Sequence, residues 1–170
     1  MRIAILSDIH DRVWKLDAGL AAVRDADVLL CCGDLCSPFV VHQLGRGFAR
    51  PIHIVFGNND GDLYRIASNA RYYDHMHLHG ELFRGEFDGR RFAMNHYDSI
   101  ARTLAASGEF DVVCYGHNHV FDIALIGSTM AINPGAIMGA TFAPDGARTD
   151  VPSTFVIYET LTGHAAQFEV

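Results

Sequence analysis

Short polar clusters interrupt the apolar segments of this chain at five places, and each carries groups able to ligate a metal. They are Asp8 with His10 in SDIHD, Asp34 in CGDL, Asn58 in GNND, His96 in MNHYD, and His117 with His119 in YGHNH. Carboxylate, amide and imidazole donors of intermediate hardness suit two adjacent divalent cations, with one carboxylate touching both. In extended or turning backbone, residues two apart can face the same side, so Asp8 with His10, and His117 with His119, can each converge on one centre. Gly33, Gly57 and Gly116 directly precede Asp34, Asn58 and His117. A residue without Cβ lets the chain turn sharply there and lets a ligand approach the backbone. The chemistry open to such a constellation is two-metal hydrolysis.

Positioning these groups requires strands that end beside one another, and the chain alternates strand-like and helix-like segments throughout. Residues 2–7, 27–32 and 52–56 read as buried strands. The helices between and after them carry Val13, Leu16, Leu20 and Val23, then Val40, Val41 and Leu44 behind a Ser37 N-cap and Pro38, then Leu63, Ile66 and Ala67 over about 62–70. Segments 81–87 and 90–95 flank Asp88-Gly89, a tight-hairpin signal. A helix over about 98–107 leads to a strand at 111–115. Strands follow at 121–126, 129–132, 154–159 and 165–170, with loop chemistry over 133–152. Asp8, Asp34 and Asn58 then fall at strand carboxyl ends, where open α/β sheets hold their ligands.

With 170 residues, of which 49% are hydrophobic, the chain can bury one substantial core, which predicts a single domain over residues 1–170. A formal charge of -7 argues against general affinity for nucleic acid, which needs a basic face. Two divalent ions would bring about four positive charges to one spot and reverse that field locally. The cysteines, Cys31, Cys32, Cys36 and Cys114, sit in or beside apolar strands and read as reduced packing residues. No signal-peptide pattern opens the chain and no apolar run reaches membrane-spanning length. The expected location is the cytoplasm, with no membrane partner.

The order DxH, GD, GN, H, GHxH resembles the calcineurin-like metallophosphoesterases, and the length and GNND variant look like their small bacterial and archaeal phosphodiesterase branch. The likeness runs from Asp8 to the NPGA segment at Asn133–Ala136. It implies a four-layer α-β-β-α sandwich of class α/β, with a dinuclear metal site at strand C-terminal ends. Carried over by position, it makes Asp8, His10 and His119 ligands of one metal and Asn58, His96 and His117 ligands of the other, with Asp34 bridging. A bridging carboxylate holds cations about 3.5–4 Å apart, and bound metal lowers the pKa of water from 15.7 to about 7. The implied reaction is in-line attack on a small phosphodiester by a metal-bridging hydroxide, with Asp34, Asn58 and Asn59 as the catalytic set. Mn²⁺ is the first choice for this donor set, with Fe²⁺, Zn²⁺ or Ni²⁺ as alternatives.

The departures from that pattern carry expectations of their own. Where many members have His after the GN asparagine, this chain has Asn59, which cannot donate a proton at useful cost and so favours activated leaving groups such as aryl esters. Asn59 and Arg12 are the candidate substrate contacts, although an Arg at a helix start is commonly solvent-exposed. Asp11 reads as the N-cap of the first helix. His75, His77 and His79 alternate in DHMHLHG, which superficially resembles a metal site but reads as surface or loop. His42, His53 and His164 read as isolated. No GxSxG elbow surrounds Ser7, and no CxxC pair is present. Loops 72–80 and 139–152 are expected to shape the substrate pocket. Exposed strand edges leave homo-oligomerisation open. The other function class is a protein-binding scaffold with little or no catalysis, as in relatives that include a eukaryotic sorting-complex subunit.

Overall fold

Runs of β-branched and apolar residues become the inner strands, and the polar clusters fall in the loops that follow them. The computed structural model describes every residue, Met1–Val170. In chain order the elements are β1 (Arg2–Leu6), α1 (Val13–Ala22), β2 (Val28–Cys31), α2 (Phe39–Gly47), β3 (Ile52–Ile54), α3 (Leu63–Ala70), β4 (Met76–Leu78), β5 (Phe83–Phe87), β6 (Arg90–Met94) and α4 (Asp98–Ala106). They continue with β7 (Val112–Cys114), β8 (Asp122–Ile126), β9 (Thr129–Asn133), β10 (Ala140–Phe142), β11 (Arg148–Asp150), β12 (Thr154–Glu159) and β13 (His164–Glu169). One sheet has the order β13-β12-β1-β2-β3-β4, a second β5-β6-β7-β9-β8, and β10-β11 forms a separate hairpin. Strands β1 to β4 run parallel, as do β6, β7 and β9. Parallel pairing returns the chain by a crossover each time, so the loops after these strands gather at one edge.

Alternation along the strands divides the core. Ala4, Leu29 and Ile52 face Leu16 and Leu20 of α1, Val40 and Leu44 of α2, and Ile66 of α3. Ile3, Ile5, Val28 and Leu30 point the other way, onto Phe92, Met94, Val112 and Ile132 of the second sheet. On that sheet's outer face, Ala101 and Ala105 of α4 pack against Ala93, Val113 and Ala131. Fully burying a Leu or Ile contributes about 1.5–3 kcal/mol. Ile3, Ala4, Leu29 and Leu30 are all at 0% exposure, so β1 and β2 are anchored from both faces. No helix is long and apolar enough to cross a membrane.

Several local features differ from the sequence reading. Helix α2 starts one residue later than expected, with Pro38 as its cap residue. Ser37 is engaged elsewhere: its N–H and Oγ donate to Asp11 at 3.0 and 2.6 Å. Asp11 therefore ties two loops together and does not cap α1, which has no side-chain cap. Asp62 does cap α3, accepting from Arg65 N at 3.0 Å, and Asp88-Gly89 turns the β5–β6 hairpin with φ of 49° and 76°. Segment 72–80 contains an edge strand, β4, paired to β3, and 133–152 contains the β10–β11 hairpin. Both are three-residue strands whose stability comes from backbone pairing, which leaves little side-chain pattern to read.

Candidate metal centre

The loops after β1, β2 and β7 are held in costly backbone. Seven of the non-glycine residues with positive φ lie there: Asp8 (54°), His10 (45°), Asp11 (57°), Asp34 (56°), Cys36 (74°), His117 (73°) and His119 (60°). Each costs on the order of 1–3 kcal/mol outside glycine, a strain that persists only where the surroundings over-determine it. Close approach explains all three glycines, a Cβ on Gly57 being blocked by the Asp34 carboxylate. A Cβ on Gly33 would lie 2.8 Å from His96 Nδ1, and one on Gly116 would meet Asp8 Oδ2 at 2.5 Å.

This backbone brings all seven candidate ligands together. His10 Nε2 and His119 Nε2 are 3.2 Å apart, and Asp8 Oδ1 lies 3.2 Å from the latter and 3.8 Å from the former. Opposite them, Asn58 Oδ1 is 3.1 Å from His96 Nε2 and 2.9 Å from His117 Nδ1. Between the groups stands Asp34, whose Oδ2 is 3.4 Å from both His10 Nε2 and His96 Nε2. Asp8 belongs to a compact donor trio on either side, with His10 and His119 or with Asp34 and His96.

Two imidazoles are oriented from behind. His96 Nδ1 donates to the Cys32 carbonyl at 2.8 Å and His119 Nδ1 to the Ala140 carbonyl at 2.7 Å. In each neutral ring Nε2 is thereby left with its lone pair facing the carboxylates, the arrangement that metal-ligating histidines use. Asp8 Oδ1 is buried and accepts no hydrogen bond, although His119 Nε2 stands beside it. Groups aimed at a common point instead of at one another fit a cation. Burial pushes the Asp8 carboxyl up, but His10, His119 and His96 outweigh it and hold it well below the usual carboxylate range. Asp34 is likewise lowered, burial being overcome by His96 and by hydrogen bonds from Asn59. The reciprocal effect raises His96 and His119 despite burial, through Asp34 and Asp8 for the former and Asp8 for the latter.

A model of the calcineurin-like phosphoesterase superfamily domain matches residues 1–163. The chain belongs to that superfamily. A phosphodiesterase of Methanocaldococcus jannaschii is 29% identical over 143 residues, covering 82% of this chain and 86% of that protein. The solved structure of an archaeal phosphodiesterase superposes with a TM-score of 0.87 at 24% identity, over 100% of both chains. Vacuolar protein sorting 29 from Cryptosporidium parvum gives a TM-score of 0.62 at 16% identity, over 99% of this chain and 98% of that one. These structural likenesses establish the fold. Membership in this hydrolase family implies divalent metals, which the donor set described above fits.

The residue that follows Asn58 is engaged with Asp34. Asn59 gives its backbone N–H to Asp34 Oδ1 and its side-chain amide to Asp34 Oδ2, both at 2.8 Å. These two bonds fix the orientation of the Asp34 carboxylate. Asp60, which the sequence reading passed over, braces the neighbouring loops: Oδ2 accepts from Asp34 N at 3.1 Å and Gly57 N at 2.7 Å, and Oδ1 from Cys36 N at 2.9 Å. Its burial, with Asp34 close by, raises its carboxyl even though three N–H groups oppose the shift. The signal was present in GNND, where an acidic residue three places after a glycine can close a turn on its N–H. A cavity of about 490 Å³ opens over the centre and includes Asn59, Met138 and Phe142. Segment 72–80 contributes nothing to it, in contrast to expectation, whereas the β10–β11 hairpin supplies Phe142. Arg12 lines a different cavity, with Lys15 and Arg148. Cys36 rests its Sγ 3.5 Å from His10 Nδ1, while Cys31, Cys32 and Cys114 are buried.

Proposed function

We propose that residues 1–170 form a single metallophosphoesterase domain, a four-layer α-β-β-α sandwich whose dinuclear centre hydrolyses small phosphodiesters. The observation that carries this reading is Asp34 Oδ2, 3.4 Å from an imidazole of each donor group. Asp8, His10 and His119 would hold one cation, Asn58, His96 and His117 the other, and Asp34 would be shared. When bound, two cations supply the positive charge that activates water and neutralises phosphoryl oxygens, and Mn²⁺ suits the mixed donors best.

The chain's own groups decide which esters react. Asn59 is committed to Asp34 and offers the leaving oxygen no proton. Diesters whose leaving group departs as a stable anion are therefore favoured. Next to the centre, and sharing His119 with it, a cleft of about 260 Å³ carries Val120, Phe121, Val151 and Pro152. Its apolar walls suit an aromatic ester arm. Rates of Mn²⁺-loaded protein on aryl and alkyl diesters should fall steeply as leaving-group pKa rises, and Asn59→His should flatten the series. A wild-type series that is already flat would contradict this account. The scaffold alternative is supported by likeness of fold, whereas convergence of all seven ligand positions supports catalysis.

A further inference from the structure

A second group of histidines gathers away from this centre, at the β3–β4 edge of the first sheet. His53 and His77 are register partners, and His79 follows His77 by two residues, the spacing that repeats a strand face. His53 Nδ1 lies 2.9 Å from His79 Nε2, and the His77 ring stacks on His53 with centroids 5.1 Å apart. Phe83 covers the pair at 4.9 Å from His53 and 4.8 Å from His79, while Phe87 approaches His53 at 5.8 Å. His75, expected to share this face, packs on Tyr73 instead. The ion pairs that histidines make with carboxylates all belong to His10, His96 and His119. This group therefore offers nitrogen donors alone.

We propose that His53 and His79, joined by His77, form a further metal site that takes an imidazole-preferring divalent cation of the Cu²⁺ or Ni²⁺ type. Bonds of about 2.0–2.1 Å from one ion to two nitrogens at the observed spacing subtend about 90°, the cis angle of a tetragonal centre and narrower than a tetrahedral one. Donors without carboxylate disfavour Mn²⁺ and Mg²⁺, which separates this site from the one above. Exposed His77 can turn from its stacked position to become the third ligand. Burial and then the neighbouring His79 and His77 push His53 down to about 4, so at neutral pH the ring is uncharged, and metal binding asks only that the N–H shared across the 2.9 Å contact move to the other nitrogen of its own ring. The hydrogen bond between two neutral imidazoles is the competing description of the same contact.

The two descriptions separate on stoichiometry. Full-length protein is dialysed to equilibrium against Ni²⁺ and its metal content measured, for wild type, His53→Gln, His79→Gln and the exposed-site variant His77→Gln. Wild type should bind one more Ni²⁺ per chain than His53→Gln or His79→Gln, with their diester hydrolysis in Mn²⁺ within about twofold of wild type. His77→Gln, which disturbs no buried group, should keep the extra ion with affinity lowered severalfold. With Cu²⁺, the extra ion should add a nitrogen-coupled component to the signal of the main centre, and that added component should be missing in His79→Gln. Equal Ni²⁺ content in folded wild type and His79→Gln, or an unchanged affinity in His77→Gln, would overturn the proposal.

Discussion

The two histidine groups of this fold differ in what lies between their rings. At the strand ends, buried Asp8 and Asp34 stand among the imidazoles and raise His96 and His119 above the ordinary histidine range. At the β3–β4 edge, aromatic rings surround the imidazoles, and burial lowers His53 and His79. Backbone strain adds to the contrast: His10, His117 and His119 are held at positive φ, whereas His96, His53, His77 and His79 are not. One residue type thus serves two environments. The carboxylate-rich one is built for concentrated charge at the expense of local backbone energy, whereas the other is a relaxed strand edge.

The sharpest way to break this contrast is to remove the carboxylate that faces both donor groups. Asp34→Ala should abolish diester hydrolysis and Mn²⁺ uptake together, measured by metal analysis and turnover on one preparation. Full activity in that variant would remove the distinction between the regions. A smaller loss is expected at the residue that only positions Asp34. Asn59→Ala should lower metal affinity or activity about 10–100-fold, as loss of an outer partner does. Its Tm without metal should stay near that of wild type, which separates positioning from general destabilisation.

The smallest effect comes from the edge group in chelator-treated protein. Folded His53 has its pKa lowered from 6.5 to about 4, so the unfolded chain takes up the proton first. The contribution is complete above pH 6.5 and is lost as pH falls from there towards 4. His77 and His79 face the ring from β4 and the turn after it, and the Phe83 and Phe87 that cover it from β5 are uncharged. Across that window wild type should lose roughly 1 kcal/mol more than His53→Asn, allowing for solvent screening, or about 2–4 °C in Tm. Parallel pH profiles of Tm would count against it.

The centre was legible because its ligands follow apolar strands and are each preceded or followed by residues that turn the chain. Asp34 after VLLCCG and His117 after VVCYG could be placed on one edge without knowing a distance. His53 could not be joined to His79, because the alternating histidines of DHMHLHG read as surface or loop, with nothing to set them beside β3. The β10–β11 hairpin was hidden by the Gly and Pro residues around it. Asp11 looks like an ordinary cap in sequence, and only the meeting of distant loops shows that it holds Ser37, as Asp60 holds the backbone of Asp34 and Cys36. Asn59 stands out in sequence as an amide where the resemblance leads one to expect His, but its bond to Asp34 depends on the meeting of loops distant along the chain.

Asp8, His10, Asp34 and Asn58 follow strands of the first sheet, whereas His96, His117 and His119 follow strands of the second. Ions gripped by all of them would fasten the two halves of the molecule across the apolar layer that separates the sheets. Such a fastening would exist only after the halves have docked, so it would belong to the last stage of assembly and the first of escape. Metal occupancy would then govern how long the native chain survives more than how quickly it is reached.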